Sequence, residues 1–144
     1  MTDKTRRVLL IDDDLGDTLL LKKLIHAQAP DATIEIEQDP ETALQKLEAC
    51  AARNPRELPD VILLDINMPR MNGFELKQRL SEISTLNTIP VIFLTTSSAP
   101  SDIDNAYKLG GNAYLTKPGD LGGMRRVVES FSAFWLRSAQ LPQR

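Results

Sequence analysis

Short apolar runs alternate along the chain with segments in which apolar residues recur at helical spacing. Residues 8–11, 61–64 and 91–94 are apolar at every position, which is typical of parallel strands that are covered by helices on both faces. Weaker runs occur at 33–36 and 113–115. The pattern predicts five strands, at 7–12, 33–37, 61–65, 90–95 and 113–116.

The segments between the runs predict five helices. Asp39 and Pro40 mark the start of the second helix, because aspartate caps a helix and proline suits its first position. Ser101 and Asp104 have the spacing of a capping box ahead of the fourth helix, and the last helix, 121–136, is the longest. Strands that alternate with helices predict an α/β fold with a doubly wound, five-stranded parallel sheet, because right-handed crossovers place helices on both faces.

The composition is that of an ordinary globular domain. The chain has 144 residues, 42% of them hydrophobic and 26% charged, which predicts one domain over 1–137 and a C-terminal tail at 138–144. The single cysteine, Cys50, excludes an intramolecular disulfide framework. No apolar run approaches the ~18–20 residues of a membrane span, and residues 1–7 lack the apolar stretch of a signal peptide. We therefore expect a cytoplasmic protein without a membrane partner.

The net charge also bears on the choice of partner. A formal net charge of -3 argues against nucleic acid, because duplex binding usually needs a basic face. A protein or a small molecule is the favoured partner.

Polar and charged residues follow four of the five predicted strands. Residues 12–14 are three aspartates after the first strand, Asp65 ends the third, Thr95 ends the fourth and Lys117 follows the fifth. Ligands of doubly wound sheets bind at the carboxyl ends of the strands, which share one edge. Each group alone fits an ordinary turn, helix cap or surface lysine, but together they predict one polar site.

Carboxylates that converge at one edge need a compensating charge. They repel one another unless a proton, a lysine or a cation lies between them, and oxygen ligands without histidine or thiolate favour Mg²⁺ or Mn²⁺. A carboxylate beside such an ion can attack a phosphoryl donor and become an aspartyl phosphate. The phosphoryl oxygens then need a cation and a hydroxyl donor, which Lys117 and Thr95 can supply.

Four motifs at these strand ends resemble the receiver domains of two-component response regulators. The motifs are LLIDDD at 9–14, LDINMP at 64–69, LTTS at 94–97 and YLTKP at 114–118. The resemblance extends over about residues 7–131 and implies a flavodoxin-like fold with the strand order 2-1-3-4-5.

The resemblance also implies a role for individual residues. Asp65 would be the phosphorylated residue, and Lys117 would bind the phosphoryl group. Thr95 and Tyr114 would be the switch residues. The implied Mg²⁺ ligands are Asp12, Asp13, Asp65 and the backbone carbonyl of Asn67.

Two details beside Lys117 concern the local backbone. The family typically has a cis peptide bond where Lys117 precedes Pro118, and cis bonds are essentially confined to proline. Gly119 departs from the family pattern, in which an aromatic residue commonly follows the Lys-Pro pair, so the local packing is expected to differ.

The C-terminal part is similar to a narrower group, the stand-alone receivers that serve bacterial phytochrome histidine kinases. The similarity lies in FWL at 134–136 and LP at 141–142. It implies a light-sensing histidine kinase as phosphodonor, an unidentified downstream protein, and a dimer through the face of the fourth helix, fifth strand and fifth helix. Such a receiver promotes only its own phosphorylation and dephosphorylation and is not otherwise an enzyme.

The last helix predicts a partner face on its own account. Its apolar residues cover a sector of about 140°, wider than the ~100° stripe that a surface helix needs for its own core. Phe131, Phe134 and Trp135 are the large residues of this sector and the candidates for a two-fold dimer contact. Two alternatives are a long helix that covers more of the sheet and a tail that folds back over the aromatic rings.

Two other classes of protein compete with the receiver. A flavodoxin-like cofactor-binding protein would share the fold, but it predicts a phosphate-binding loop of Gly, Ser and Thr where this chain has three aspartates. A small aspartyl-phosphate hydrolase would need an added general acid or base and a cap over its substrate, and the sequence offers neither.

Overall fold

The computed structural model describes residues 5–144, and the part of the signal-peptide expectation that concerns Met1 to Lys4 lies outside them. Five strands form one parallel sheet within this range. The strands are β1 (Arg7–Ile11), β2 (Thr33–Glu37), β3 (Val61–Leu64), β4 (Val91–Thr95) and β5 (Ala113–Thr116). They are ordered β2-β1-β3-β4-β5, which confirms the predicted doubly wound, flavodoxin-like sheet.

Five α-helices connect and follow the strands. They are α1 (Leu15–Gln28), α2 (Pro40–Arg53), α3 (Gly73–Ser81), α4 (Pro100–Lys108) and α5 (Leu121–Phe131). A 3₁₀ turn, Pro55–Glu57, precedes β3, and a π-helix, Ser132–Ser138, continues α5. No helix among residues 5–144 has the length and apolar character that crossing a membrane requires.

The start of α2 agrees with the sequence prediction and the start of α4 does not. The Asp39 carboxylate accepts a hydrogen bond from the amide of Thr42 and caps α2. The N-cap of α4 is Ala99, so Ser101 lies inside the helix and forms no capping box. Proline is well suited to the first helical position, and Pro100 starts the helix before Ser101 can cap it.

Two apolar clusters pack on the two faces of the sheet. Side chains of successive strand residues point to opposite faces, so Leu9 packs with residues of α2 and α3, whereas Leu10 packs with residues of α1 and α5. The runs 8–11, 61–64 and 91–94 are therefore apolar at every position because both faces of these strands are covered, whereas the edge strand β2 has Thr33 and Glu35 exposed. The carboxyl ends of the strands remain available for polar side chains.

Burial divides the aromatic residues that the sequence predicted as a partner face. Phe131 is only 3% exposed and belongs to the core, Trp135 is half-buried against the same core, and Phe134 is 55% exposed. The prediction is wrong for Phe131. Phe131 lies three residues after Val128 and seven after Met124, so it shares the face of α5 that packs in the core. From Ser132 the chain follows a π-helix, whose i→i+5 hydrogen bonds change the angular position of each later residue.

The C-terminal tail lies against the amino-terminal end of the sheet. The Arg6 guanidinium donates to the carbonyl oxygen of Ala139 at 2.7 Å. The guanidinium of Arg144 lies 4.0 Å from the carboxylate of Asp60, which directly precedes β3. The tail thus contacts the edge of the sheet opposite the predicted polar site.

Candidate functional site

Three aspartates converge at the carboxyl edge of the sheet. Asp12 follows β1 and Asp65 follows the neighbouring β3, where the Asp65 amide donates to the carbonyl oxygen of Ile11 at 3.0 Å. Asp12, Asp13 and Asp65 offer carboxylate oxygens that all lie within 4.8 Å of one another. Asp12 and Asp65 are nearly buried and Asp13 is exposed, so the cluster opens to solvent on the Asp13 side.

Lys117 brings a positive charge to these carboxylates. Its backbone amide donates to the Thr95 carbonyl oxygen at 2.7 Å, which ties the end of β5 to the end of β4. Its ammonium lies 2.6 Å from Asp12, 2.9 Å from Asp17 and 3.4 Å from Asp65. The Lys117 side chain is only 4% exposed, so this is a buried charge held by three carboxylates.

Asp17 is the site residue that the sequence analysis missed. It lies in the first turn of α1, after the N-cap Asp14. An acidic residue there is commonly explained by the helix dipole alone. The available signal was topological: α1 begins at the carboxyl end of β1, so a carboxylate in its first turn starts beside the site.

Burial and hydrogen bonding shift the pKa values of Asp12 and Lys117 in opposite directions. Burial raises the pKa of Asp12 to about 6, although the hydrogen bonds from Lys117 and from the Asp14 amide lower it. Burial acts to lower the pKa of Lys117, but its hydrogen bonds to Asp12 and Asp17 outweigh this, so the pKa is raised overall. Lys117 therefore stays protonated at neutral pH and compensates only part of the carboxylate charge.

The donor set fits a hard divalent cation. It consists of carboxylate oxygens from Asp12, Asp13 and Asp65, the ligand type that Mg²⁺ and Mn²⁺ prefer. The raised pKa of Asp12 indicates that its ionised form lacks full compensation, which a cation would provide. Asn67 is exposed in the segment between β3 and α3, and its carbonyl as a ligand stays a prediction.

The segment after β3 folds tightly against Asp65. The Ile66 amide donates to the Asp65 carboxylate at 2.7 Å, and the Gly73 amide donates to the Ile66 carbonyl oxygen at 2.9 Å. A Cβ atom at Gly73 would lie 2.1 Å from the Asp65 carbonyl oxygen. The start of α3 therefore positions the backbone of Asp65.

The two predicted switch residues differ in their hydrogen bonds. Thr95 is fully buried, and its hydroxyl has no hydrogen-bond partner among the described residues. Tyr114 donates its hydroxyl proton to the Ser97 carbonyl oxygen at 2.8 Å, and its ring lies 6.4 Å from that of Phe93. Tyr114 thus connects β5 to the segment that follows β4. The Thr95 hydroxyl is available to donate a hydrogen bond to a ligand.

The backbone beside Lys117 differs from the family expectation. No peptide bond among the described residues is cis, so the bond between Lys117 and Pro118 is trans, the form that is favoured even before proline. Gly119 is exposed, and a Cβ atom there would have no neighbour within 4 Å. The absence of an aromatic side chain at this position leaves open surface rather than a cavity.

The fold and this set of side chains define the class of the protein. A doubly wound sheet places an acidic cluster, a buried lysine and an unpartnered threonine hydroxyl at one edge. Residues 8–129 match the family described as the response regulator receiver domain. The chain belongs to this family.

The response regulator Rcp1 of Synechocystis is 31% identical over 94% of this chain and 92% of its own length, and its Mn²⁺-bound structure has a TM-score of 0.85 over 95% of this chain and 99% of that one.

Two further solved structures are similar. The phosphorylated cyanobacterial phytochrome response regulator RcpA is 30% identical with a TM-score of 0.89, over 97% of this chain and all of that one. RPA3017, from red light signalling of R. palustris, is 31% identical with a TM-score of 0.84, over 96% of this chain and 99% of that one.

Proposed function

We propose that this receiver accepts a phosphoryl group on Asp65 from a histidine kinase, in the presence of Mg²⁺, and thereby switches a protein-interaction surface. The observation that carries the proposal is the Lys117 ammonium, which is buried 3.4 Å from the Asp65 carboxylate among further carboxylates. A buried lysine beside the acceptor is the cation that the oxygens of a transferred phosphoryl group need.

In the proposed transfer, a carboxylate oxygen of Asp65 attacks the phosphorus of a phosphohistidine. A P–O bond forms and the P–N bond breaks, and the imidazole nitrogen keeps the electron pair and takes a proton from water. Lys117 offsets charge on the phosphoryl oxygens, and the Thr95 hydroxyl donates to one of them. A Mg²⁺ ion held by Asp12, Asp13, Asp65 and the Asn67 carbonyl would supply further compensation of negative charge.

The conformational change would pass from Thr95, the last residue of β4, to Tyr114 in the neighbouring β5. A phosphoryl group gives the Thr95 hydroxyl a partner, and movement of Thr95 is transmitted to the next residues of the same segment. Tyr114 holds the Ser97 carbonyl of that segment, so its ring would change position with it. The outcome is an altered surface on α4, β5 and α5.

The proposed phosphodonor is a phytochrome-type histidine kinase. The similarity to RcpA, a phytochrome response regulator, and to RPA3017 from red light signalling supports it. We propose further that the output is another protein rather than nucleic acid, that the chain acts in the cytoplasm as a domain over 1–137 with a tail at 138–144, and that it turns over no external substrate.

We also propose a homodimer through α4, β5 and α5. Three large apolar side chains of α4, α5 and the π-helix that follows α5 are about half exposed. They are Tyr107, Leu121 and Phe134. A two-fold contact would use each of them twice, and Phe131, which lies in the core, is no longer part of the proposed face.

The test of phosphoryl acceptance uses acetyl phosphate and Mg²⁺ with mass spectrometry of the intact protein. We expect one acid-labile phosphoryl group on the parent and none on Asp65→Asn. Asp31→Asn, which removes an exposed carboxylate that precedes β2 at the opposite edge of the sheet from the site, should be labelled like the parent. Undiminished labelling of Asp65→Asn would overturn the assignment of the acceptor.

A further inference from the structure

The ammonium of Lys117 is shared unequally among three carboxylates. It lies closer to Asp12, at 2.6 Å, and to Asp17, at 2.9 Å, than to Asp65, at 3.4 Å. An ammonium has three N–H donors, so each carboxylate can receive one. The bond to Asp65 is the longest, although Asp65 is the proposed acceptor.

Asp17 differs from the other two carboxylates in its exposure. The side chains of Asp12 and Asp65 are 6% and 11% exposed, whereas that of Asp17 is 37% exposed. Water can therefore stabilise the Asp17 carboxylate when the ammonium moves, which a buried carboxylate does not permit at similar cost. The ion pair between Lys117 and Asp17 can therefore form or break at lower cost than the pairs with Asp12 and Asp65.

The position of Asp17 is set by a helix start rather than by a loop. Its amide donates to the Asp14 carboxylate at 3.0 Å, the N-cap interaction of α1. Its carboxylate is thereby carried by the first turn of a helix that packs against α5. A side chain on a rigid element can fix the geometry of a partner more narrowly than one on a loop.

We propose that Asp17 is a positioning residue for Lys117: it holds the ammonium on the α1 side of the site, so that one N–H remains directed at the oxygens of the reacting group on Asp65. The inference rests on the proposed function, in which Lys117 binds the phosphoryl group. Without Asp17, the ammonium is expected to settle onto the Asp65 carboxylate, where it pairs with the attacking oxygens instead of the phosphoryl oxygens.

The experiment measures the rate constant of phosphorylation by acetyl phosphate with Mg²⁺. We expect Asp17→Asn to slow the reaction at least about fivefold, because misplacing a reacting group costs rate even when all groups are present. Asp17→Glu, which restores a carboxylate, should recover most of the rate. The matched control is Glu41→Gln, which removes an exposed first-turn carboxylate from α2 and should leave the rate unchanged.

A double-mutant cycle separates positioning from a structural effect. In a Lys117→Gln background the rate is expected to be low, and Asp17→Asn should then change it by less than about twofold, because the residue acts through the lysine. Should Asp17→Asn fail to fold, Asp17→Ser carries the same expectation.

Three outcomes would overturn the inference. They are an unchanged or faster reaction of Asp17→Asn, a loss of rate that Asp17→Glu does not recover, and an equal loss in both backgrounds. All three presuppose that Asp65 is labelled, so they are distinct from failure of the proposed function, in which Asp65→Asn is still phosphorylated.

Discussion

At the scale of the residue, Gly73 has the least room for change. A Cβ atom there would lie 2.1 Å from the Asp65 carbonyl oxygen and 3.0 Å from the Cα atom of Ile66. Both atoms belong to the backbone that follows β3, so no side-chain rotation can relieve the contact. The requirement for glycine here comes from close approach to the acceptor and not from backbone conformation.

We expect Gly73→Ala to lower the free energy of unfolding by about 1–3 kcal/mol, the usual cost of an inserted methyl group that forces a backbone shift. Phosphorylation of Asp65 by acetyl phosphate should slow as well, because its backbone must move. Urea denaturation measures the first effect. Gly119→Ala is the control, since its Cβ would have no neighbour within 4 Å, and equal midpoints for the two variants would contradict the prediction.

Lys77 is a second residue whose surroundings conflict with its charge. It is nearly buried in α3, and its ammonium donates to the Ser81 hydroxyl at 2.8 Å. Burial lowers its pKa. The unfolded chain, in which the pKa is ordinary, therefore holds this proton more readily than the folded protein does.

The expected sign follows from that difference. The cost of the buried charge is fully present below the lowered pKa of Lys77 and disappears as pH rises from that pKa toward the ordinary value of about 10.4. We expect Lys77→Met to melt at a higher temperature than the parent near neutral pH, and the difference to shrink as pH approaches about 10. If the difference in melting temperature between Lys77→Met and the parent stayed constant with pH, the charge of Lys77 would not be the cause of the difference.

Among the elements, α5 buries Phe131 on its core-facing side, and the π-helix that follows sets the exposure of the later aromatic rings. Phe131 ends α5 and is buried, and Leu136 of the π-helix is buried as well. Phe134 and Trp135 pack edge to face with ring centroids 5.0 Å apart. Phe134 alone of these aromatic residues is more than half exposed, so it is the residue with which to test the proposed dimer.

We expect Phe134→Glu to shift the protein from dimer to monomer in light scattering while Asp65 is still phosphorylated. Burying a phenylalanine side chain stabilises an interface by about 1.5–3 kcal/mol. Because a dimer contains Phe134 twice, the substitution removes this contribution from both subunits. The control is Leu19→Glu, which introduces the same charge at a similarly exposed apolar residue of α1. A parent protein that is monomeric at about 100 µM, with and without a phosphoryl mimic, would refute the dimer.

At the scale of the whole molecule, the acidic site opposes folding and a cation should reverse this. The Lys117 ammonium pairs with Asp12, Asp17 and Asp65, and the Asp13 carboxylate belongs to the same acidic cluster as Asp12 and Asp65. The mutual repulsion of these carboxylates is present only when the fold brings them together. Any ion that binds the folded protein and not the unfolded chain raises the stability by mass action.

We expect Mg²⁺ to raise the melting temperature, with a gain of about 2.7 kcal/mol at a free concentration 100 times the dissociation constant. Asp13→Asn should reduce this rise, because it removes one oxygen ligand. Asp31→Asn should leave it unchanged. The measurement is thermal denaturation over a series of Mg²⁺ concentrations, and an equal rise in Asp13→Asn and in the parent would remove Asp13 from the metal site.

The positions of the strands, their alternation with helices and the edge at which the polar residues meet all follow from the pattern of residues along the chain. Fully apolar runs mark strands that are covered on both faces, and the rule for strand ends holds for every doubly wound sheet. Asp12, Asp65 and Lys117 could therefore be assigned to one site before any distance was known. The family pattern added the order of the strands and the role expected for each residue.

Other features depend on distances between residues that are remote in sequence, or on the exact course of a helix, and these required the three-dimensional fold. The pairing of Asp17 with Lys117 joins residues 100 positions apart, and Gly73 meets Asp65 only because the chain turns back between them. The exposure of Phe134 depends on a π-helix that sequence periodicity does not predict. Phe131 is buried because the core-facing side of α5 extends to its last residue. Periodicity describes which face a residue takes within a regular element, whereas these contacts arise where elements end and meet.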